Sequence, residues 1–494
     1  MNMNILLVYP KTPPTFWSFS DAVKFISKKS SEIPLGLITI GAMLPPDWKS
    51  KLIDTNVTPL KDKDILWADY VFLSGMSIHL SSFKRIIKRC NQLGVKIVAG
   101  GPLATTHYKE IMGVDHYVLN EAELTLPLFI EDVQKGCPRP VYQSNEFPDL
   151  NATPPPKWEL LEMNKYAGMS IQYSRGCPYN CEFCSITLLN GRKPRTKSRK
   201  QFIHELESLF QSGWRGGVFI VDDNFIGNKR KLKEEILPAM ISWAQKRQYP
   251  FEYITEATIN LADDETLLDL MVKAGFSSAF IGIETPNPES LAECGKYHNQ
   301  KRDMMDSIKK MHQKGLQVAG GFIVGFDHDT PSIFKTQIEF IQQSGIVTAM
   351  VGMLNAPTGT LLYKRLDSEN RLANIFTGDN MDGSINFIPK MGYQKLIKGY
   401  KELVETIYSQ KKYYERLKTF LREYEMPDVK LPSVKLQDIK ALFKSIWKLG
   451  FMEKGKRYYW KLMFFSLLNF PKKFPLAVKM AIYGFHFRRV ARRI

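Results

Sequence analysis

Cysteine is scarce, with six in 494 residues, which is too few for a disulfide scaffold to organise a chain of this size. Long apolar runs are missing. No stretch approaches the ~20 residues that a membrane-spanning helix requires. The run Ile5–Tyr9, with no basic residue before it, is too short for the apolar part of a secretion signal. Acidic side chains are in deficit, 50 against 68 Lys and Arg, for a net charge of +18. Apolar residues nevertheless make up 44% of the chain, which excludes wholesale disorder, and the length exceeds one ordinary domain. The expectation is a cytoplasmic protein of two or three domains, in which clustered cysteines bind metal rather than pair.

The charge is unevenly spread. Residues 431–494 hold fifteen Lys and Arg and two acids, a net of +13, leaving +5 for the rest. In this tail, basic residues interleave with aromatics, as in Arg457-Tyr458-Tyr459-Trp460-Lys461 and Tyr483-Gly484-Phe485-His486-Phe487-Arg488-Arg489. That pattern suits an interfacial helix on anionic lipid. Phosphate contacts with base stacking on aromatics are the competing nucleic-acid reading, and nucleic acid is not the expected partner. A helical cap with a solvated basic face is the third reading.

Residues 4–9 (NILLVY) form a short, β-rich apolar run that predicts a buried strand. Further strands are expected at 51–54, 70–74, 96–99 and 116–119, with helices at 34–44, 82–93 and 122–134 between them. This alternation predicts a parallel, doubly wound sheet over residues 1–140, which binds ligands beyond the carboxyl ends of its strands. The loops there contain Tyr9-Pro10, Ser74-Gly75-Met76-Ser77 and Gly100-Gly101-Pro102. A proline-rich linker is expected at 141–168. A second alternation, with strands near 169–173, 217–221, 251–257, 278–283, 317–324 and 348–354, predicts a partial (β/α)6 barrel over 169–360. Its chemistry belongs at the C-terminal strand ends. Residues 361–430 read as mostly helical after an irregular insert around 378–383.

Three of the six cysteines lie within eight residues, in Gly176-Cys177-Pro178-Tyr179-Asn180-Cys181-Glu182-Phe183-Cys184, directly after the first barrel strand. C-x₃-C-x₂-C wraps three thiolates around one iron–sulfur cube and leaves the fourth iron open, unlike four-cysteine ferredoxin sites. Three ligands plus water is also catalytic zinc arithmetic, although no His lies nearby.

This loop, the aromatic Phe183 before its last cysteine and the six βα units resemble the radical S-adenosylmethionine (SAM) superfamily. The resemblance implies a [4Fe-4S] cluster on Cys177, Cys181 and Cys184. Its open iron chelates SAM, whose reductive cleavage yields a 5′-deoxyadenosyl radical. It also implies SAM contacts at Phe183 in the loop and at Asp222, Asp223, Glu284 and Gly325, which sit at strand ends. For Asp222 and Asp223 a helix N-cap is the other reading, and for the glycines relief of packing.

An open sheet ahead of such a barrel resembles the cobalamin-dependent branch. That implies a Rossmann-like cobalamin-binding domain at the N-terminus, with contacts at Pro10, Ser74, Gly75, Met76, Ser77, Gly100, Gly101, Pro102 and Glu121. The motif D-x-H-x-x-G, whose His ligates cobalt, is absent from this sequence; His79 is a candidate neighbour of the cofactor or an ordinary loop residue. The segments Asn386–Met391 and Tyr483–Arg489 resemble a subgroup of hopanoid 2-methylases and related lipid and tetrapyrrole methylases. The resemblance thus implies methyl transfer to an unactivated carbon of an apolar, isoprenoid or hopanoid substrate. It also implies a flavodoxin- or ferredoxin-like reductant; with the cysteine usage and the basic aromatic tail, the expectation is a cytoplasmic enzyme, peripheral on the inner membrane face. Ring formation or carbon–carbon coupling without methyl transfer is the second reading, and a non-catalytic cluster-binding sensor the third.

Overall fold

A computed structural model describes residues 2–373, 376–379, 381–427 and 436–494. Asn380, inside the expected irregular insert, and residues 431–435, the start of the expected tail, lie outside that range.

The first sheet has six parallel strands: β1 (Asn4–Tyr9), β2 (Lys49–Asp54), β3 (Tyr70–Ser74), β4 (Lys96–Gly100), β5 (His116–Val118) and β6 (Val141–Tyr142), in the order β2-β1-β3-β4-β5-β6. Ile5, Leu6, Leu7 and Val8 are fully buried because helices cover both faces of β1. The strand order reverses at β1, so the topological switch point lies between β1 and β3. A ligand crevice is expected beyond their carboxyl ends, at Tyr9-Pro10 and Ser74-Gly75. The short strand β6, inside the stretch read as linker, extends the sheet to Tyr142.

The chain then enters β7 (Met169–Ile171) and an antiparallel hairpin, β8 (Ser174–Arg175) with β9 (Arg195–Thr196). There follow β10 (Gly216–Ile220), β11 (Phe251–Ala257), β12 (Phe276–Glu284), β13 (Gln317–Val324) and β14 (Ala349–Met353). The second sheet runs β14-β13-β12-β11-β10-β7, every pair parallel, and β7 and β14 are its edges. The barrel is therefore open along one side. Burial alternates along β11, with Glu252, Ile254 and Glu256 less covered than their neighbours. This alternation turns those three side chains to the lumen while the others pack under the outer helices.

The helical C-terminal region comprises Leu361–Ser368, Tyr393–Ile407, Gln410–Glu423, Leu436–Ser445, a π-helical turn Ile446–Met452, Lys456–Asn469 and Phe474–Ala491. The last helix is not a free tail, because eleven of its eighteen residues are buried. Phe487 stacks on Phe16 at 4.2 Å, and His486 Nε2 lies 2.9 Å from the Phe16 carbonyl. Lys479 reaches Glu252 at 3.5 Å, and Gln317 lies 3.6 Å from Met480 Sδ. Glu252 and Gln317 stand at the N-terminal ends of β11 and β13, so this helix closes the barrel end opposite the cysteine loop. The same helix ties that end to the N-terminal segment, since Arg489 and Arg493 approach the buried Asp21. Among the described residues, no helix is long and apolar enough to cross a membrane.

Candidate active site

The cysteine loop begins where β8 ends and is wired at every turn. Gly176 has φ +95°, and a Cβ there would meet the carbonyls of Asn190, Gly191 and Lys193 within about 3 Å, so only glycine fits. Cys177 N donates to Gly191 O (3.2 Å), Glu182 N to Cys294 O (2.9 Å) and Cys184 N to Cys181 O (3.0 Å). Glu182 is held in turn by Arg365 at 2.6 Å. All six cysteines are free thiols. Burial raises the pKa of all three loop thiols, Cys184 to about 12, so a stable thiolate here needs a metal centre. Three thiols on one loop fit three corners of a multi-iron cluster.

The carboxylates proposed for SAM are in several cases already engaged. Asp222 is buried and accepts from Tyr173 N (2.8 Å) and Ser174 Oγ (2.5 Å); burial pushes its pKa up to about 7. Asp223 accepts from Gly176 N (2.8 Å) and Asn190 Nδ2 (2.9 Å). Both therefore shape the base of the cysteine loop, in place of the helix N-cap considered from sequence. Glu284 ends β12 at φ +62°, an uncommon conformation for a non-glycine residue, and forms a buried ion pair with Lys296. Gly325 N donates to Asp329 at 2.9 Å, and the neighbouring Phe326 lies 6.4 Å from Phe183 between ring centres. Phe183 and the end of β13 thus lie side by side.

At the first sheet, Pro10, Ser74, Gly75 and Met76 rim the β1–β3 switch point. Gly101 has φ +79°, and a Cβ there would collide with Ser74 Oγ; Gly100 lies against the Val118 carbonyl, and Pro102 opens the helix Gly101–His107. These glycines let the loops after β3 and β4 meet closely at the strand ends. Ser77 is covered by Gly378 of the C-terminal insert, a long-range contact with no sequence signal. His79 is fully buried, with Nδ1 3.0 Å from Met76 N and Nε2 3.0 Å from Thr12 Oγ1. Since Met76 N donates to Nδ1, the proton sits on Nε2 and the ring fixes the Met76 loop. Burial pushes its pKa down to about 4. Glu121 binds Arg175 and Arg195, both at 2.5 Å, and Glu123 binds Arg175 at 2.8 Å. Arg175 immediately precedes Gly176, so this largely buried network fastens the first domain to the cysteine loop.

Three features were missed from sequence. Trp17, in the loop after β1, packs edge-on to Phe280 at 5.1 Å, with Nε1 2.9 Å from Met350 Sδ; an N-terminal side chain thereby reaches the barrel's inner strand face. Glu256, on the lumen side of β11, is pushed up to about 7 by burial, and the nearby carboxylates of Asp223 and Glu32 raise it further. Outside the cysteine loop lies an open groove of about 500 Å³, lined by Pro178, Tyr179, Lys193, Lys229 and Asn260 among others. None of these had a local signal, because each depends on segments far apart in the chain.

A doubly wound sheet ahead of a six-stranded parallel barrel with a three-cysteine loop is the architecture of a cobalamin-dependent radical SAM protein, and the comparisons with known proteins agree. Residues 25–130 match the B12 binding domain, 171–341 the Radical SAM superfamily and 360–494 a domain of unknown function, DUF4070. The chain is 39% identical to an uncharacterized methyltransferase of Synechocystis sp., covering 98% of this chain and 91% of that protein. It is 31% identical to the hopanoid C-2 methylase of Rhodopseudomonas palustris, covering 94% and 89%. The solved structure of the cobalamin-dependent S-adenosylmethionine radical enzyme OxsB shares the fold, with TM-score 0.63 at 14% identity over 99% of this chain and 80% of that one. The radical SAM methyltransferase TsrM of Kitasatospora setae does so with TM-score 0.57 at 14% identity over 75% and 78%. The chain belongs to the cobalamin-dependent radical SAM methyltransferases, and its cofactors are a [4Fe-4S] cluster, SAM and cobalamin.

Proposed function

We propose that the enzyme methylates an unactivated carbon of an apolar substrate of the isoprenoid or hopanoid kind. The observation that carries this reading is the lining at the inner strand face, where Trp17, Phe280 and Met350 meet. A hydrocarbon ring system packs favourably against such apolar side chains. The likeness to a hopanoid C-2 methylase over 94% of the chain supports the same substrate class.

When bound, the cluster and cobalamin supply reductive cleavage of SAM and a transferable methyl group. In the proposed arrangement Cys177, Cys181 and Cys184 hold the cluster. Phe183, Glu284 and Gly325 border SAM, while Asp222 and Asp223 act through the loop backbone. Pro10, Ser74, Gly75, Met76, Ser77, Gly100, Gly101 and Pro102 border cobalamin, and Glu121 aligns the two domains through Arg175 and Arg195. A flavodoxin- or ferredoxin-like donor belongs to the same proposal. The groove outside Pro178 and Tyr179, edged by Lys193 and Lys229, offers an acidic donor a basic approach to the cluster. The enzyme is proposed to work as a cytoplasmic protein held peripherally at the membrane.

The test is an anaerobic incubation with deuteromethyl-SAM and a lipid extract, read by mass spectrometry. A product carrying the whole deuteromethyl group is expected. Loss of hydrogen without a gained methyl would favour ring formation or carbon–carbon coupling. Failure to form 5′-deoxyadenosine with substrate and reductant present would favour a sensor.

A further inference from the structure

We infer that the helical pair Leu436–Met452 and Lys456–Asn469 is the surface that seats the enzyme on an anionic lipid bilayer. This deepens the peripheral contact proposed above and does not depend on which carbon is methylated. Among the described residues, nine of the twenty exposed large apolar side chains fall between 436 and 468. Ile439, Phe443, Trp447 and Phe451 follow at intervals of four, which lines them along one helical strip. Phe443 and Trp447 are each 66% exposed and Leu468 is 79% exposed. An apolar concentration of this kind on an otherwise ordinary surface marks an interaction site.

The residues around that strip fix the partner. From 436 to 473 the chain carries nine Lys and Arg and two acids, and Lys440, Lys454, Lys456 and Lys461 are exposed. Aromatics among cations, with few acids, match the headgroup layer of an anionic membrane, where each well-placed cation adds to binding. A second copy of this chain would bring the same positive charge to the contact and is disfavoured by repulsion.

The pair is firmly mounted. Trp460 Nε1 donates to Gly450 O at 2.9 Å, Ser445 Oγ and Tyr459 Oη are 2.9 Å apart, and Lys444 Nζ donates to Ser27 Oγ at 2.7 Å. Ser27 closes the short helix Val23–Ile26, which follows Trp17 by only a few residues. A bilayer under this pair therefore lies beside the N-terminal segment that reaches the barrel. The final helix, equally basic and aromatic, is buried and contributes structure instead.

Flotation of the full chain with phosphatidylcholine vesicles, with or without phosphatidylglycerol, tests the inference. Strong binding only to the anionic vesicles, weakened by salt, is expected. Phe443→Ser with Trp447→Ser should lose at least tenfold in affinity, as should Lys454→Glu with Lys461→Glu, while both keep the wild-type melting temperature and cluster absorbance. Equal flotation of wild type and variants, or no flotation of the folded wild type, would overturn it. So would a concentration-dependent dimer of the wild type, seen by sedimentation and abolished by the Phe443–Trp447 variant. Methyl transfer to detergent-dispersed substrate, measured on the same variants, separates a failure here from a failure of the methylase reading.

Discussion

The cysteine loop and the 436–469 helical pair present opposite solutions to holding a partner. In the loop, Gly176, Cys177, Glu182 and Cys184 each have a backbone bond to another named residue, and Asp222 and Asp223 brace its base from β10. On the helical pair, side chains such as Trp447 and Leu468 project into solvent. A cluster has fixed bond directions, so its thiols must be positioned to fractions of an ångström. A bilayer is a fluid surface, so exposed area and charge suffice. The lesson is that catalytic precision shows as wiring and docking shows as unsatisfied exposure.

The largest contrast is between the two sites themselves. Cys177→Ala should abolish cluster binding and SAM cleavage, measured by iron content and 5′-deoxyadenosine, while leaving vesicle flotation intact. Iron content and cleavage equal to wild type would remove the assignment of this loop.

Next comes a contrast inside the C-terminal region. Phe487→Ala removes a fully buried ring stacked on Phe16 and should cost about 3–5 kcal/mol, read by chemical denaturation. Leu468→Ser, at an exposed position on the preceding helix, should change stability by less than ~0.5 kcal/mol. Similar costs for both would mean that the region is uniform after all.

The tail explains how far the sequence could be read. Spacing survives folding, so C-x₃-C-x₂-C pointed directly at the loop that holds it. The apolar runs of the strands survive too, and β11 and β13 occupy the residues expected for them. Composition does not survive in this way. Basic, aromatic residues 431–494 read as one tail, either docking or a helical cap, yet the fold buries the last helix against Phe16, Asp21 and Glu252 and leaves the preceding pair exposed. Helical phase and long-range neighbours decide that, and neither is written locally. The same holds for Trp17 against Phe280, Gly378 over Ser77 and Glu32 near Glu256. Deletion of the whole tail would therefore unfold the barrel base and could not report on lipid binding.

Two smaller effects sharpen the comparison at buried titratable groups. His79 is wired, and burial holds its pKa at about 4 against about 6.5 when unfolded. The unfolded chain therefore takes up the proton first, and stability present above pH ~6.5 is lost as pH falls toward 4. The loss should reach about 3 kcal/mol at most. His79→Gln should flatten that part of a melting-temperature profile; an unchanged profile would contradict the account.

Glu256 is the counterpart among carboxylates, with burial and neighbouring carboxylates pushing its carboxyl up to about 7. Here the folded chain holds the proton more tightly, so stability is full below about pH 4.5 and declines as pH rises through 7. Glu256→Gln should raise the stability of the cofactor-free protein at pH 8 by about 1–2 kcal/mol, with the gain disappearing at pH 4.5. A destabilised variant at pH 8 would show instead that the carboxylate has a protein partner.

The most direct measurement of the central claim is the transfer of label from deuteromethyl-SAM to a lipid by the anaerobic, cluster-loaded and cobalamin-loaded enzyme. The account predicts an apolar product with an intact deuteromethyl group on carbon and one 5′-deoxyadenosine formed per methyl transferred. Continued cleavage of SAM with no label in any lipid product would contradict it.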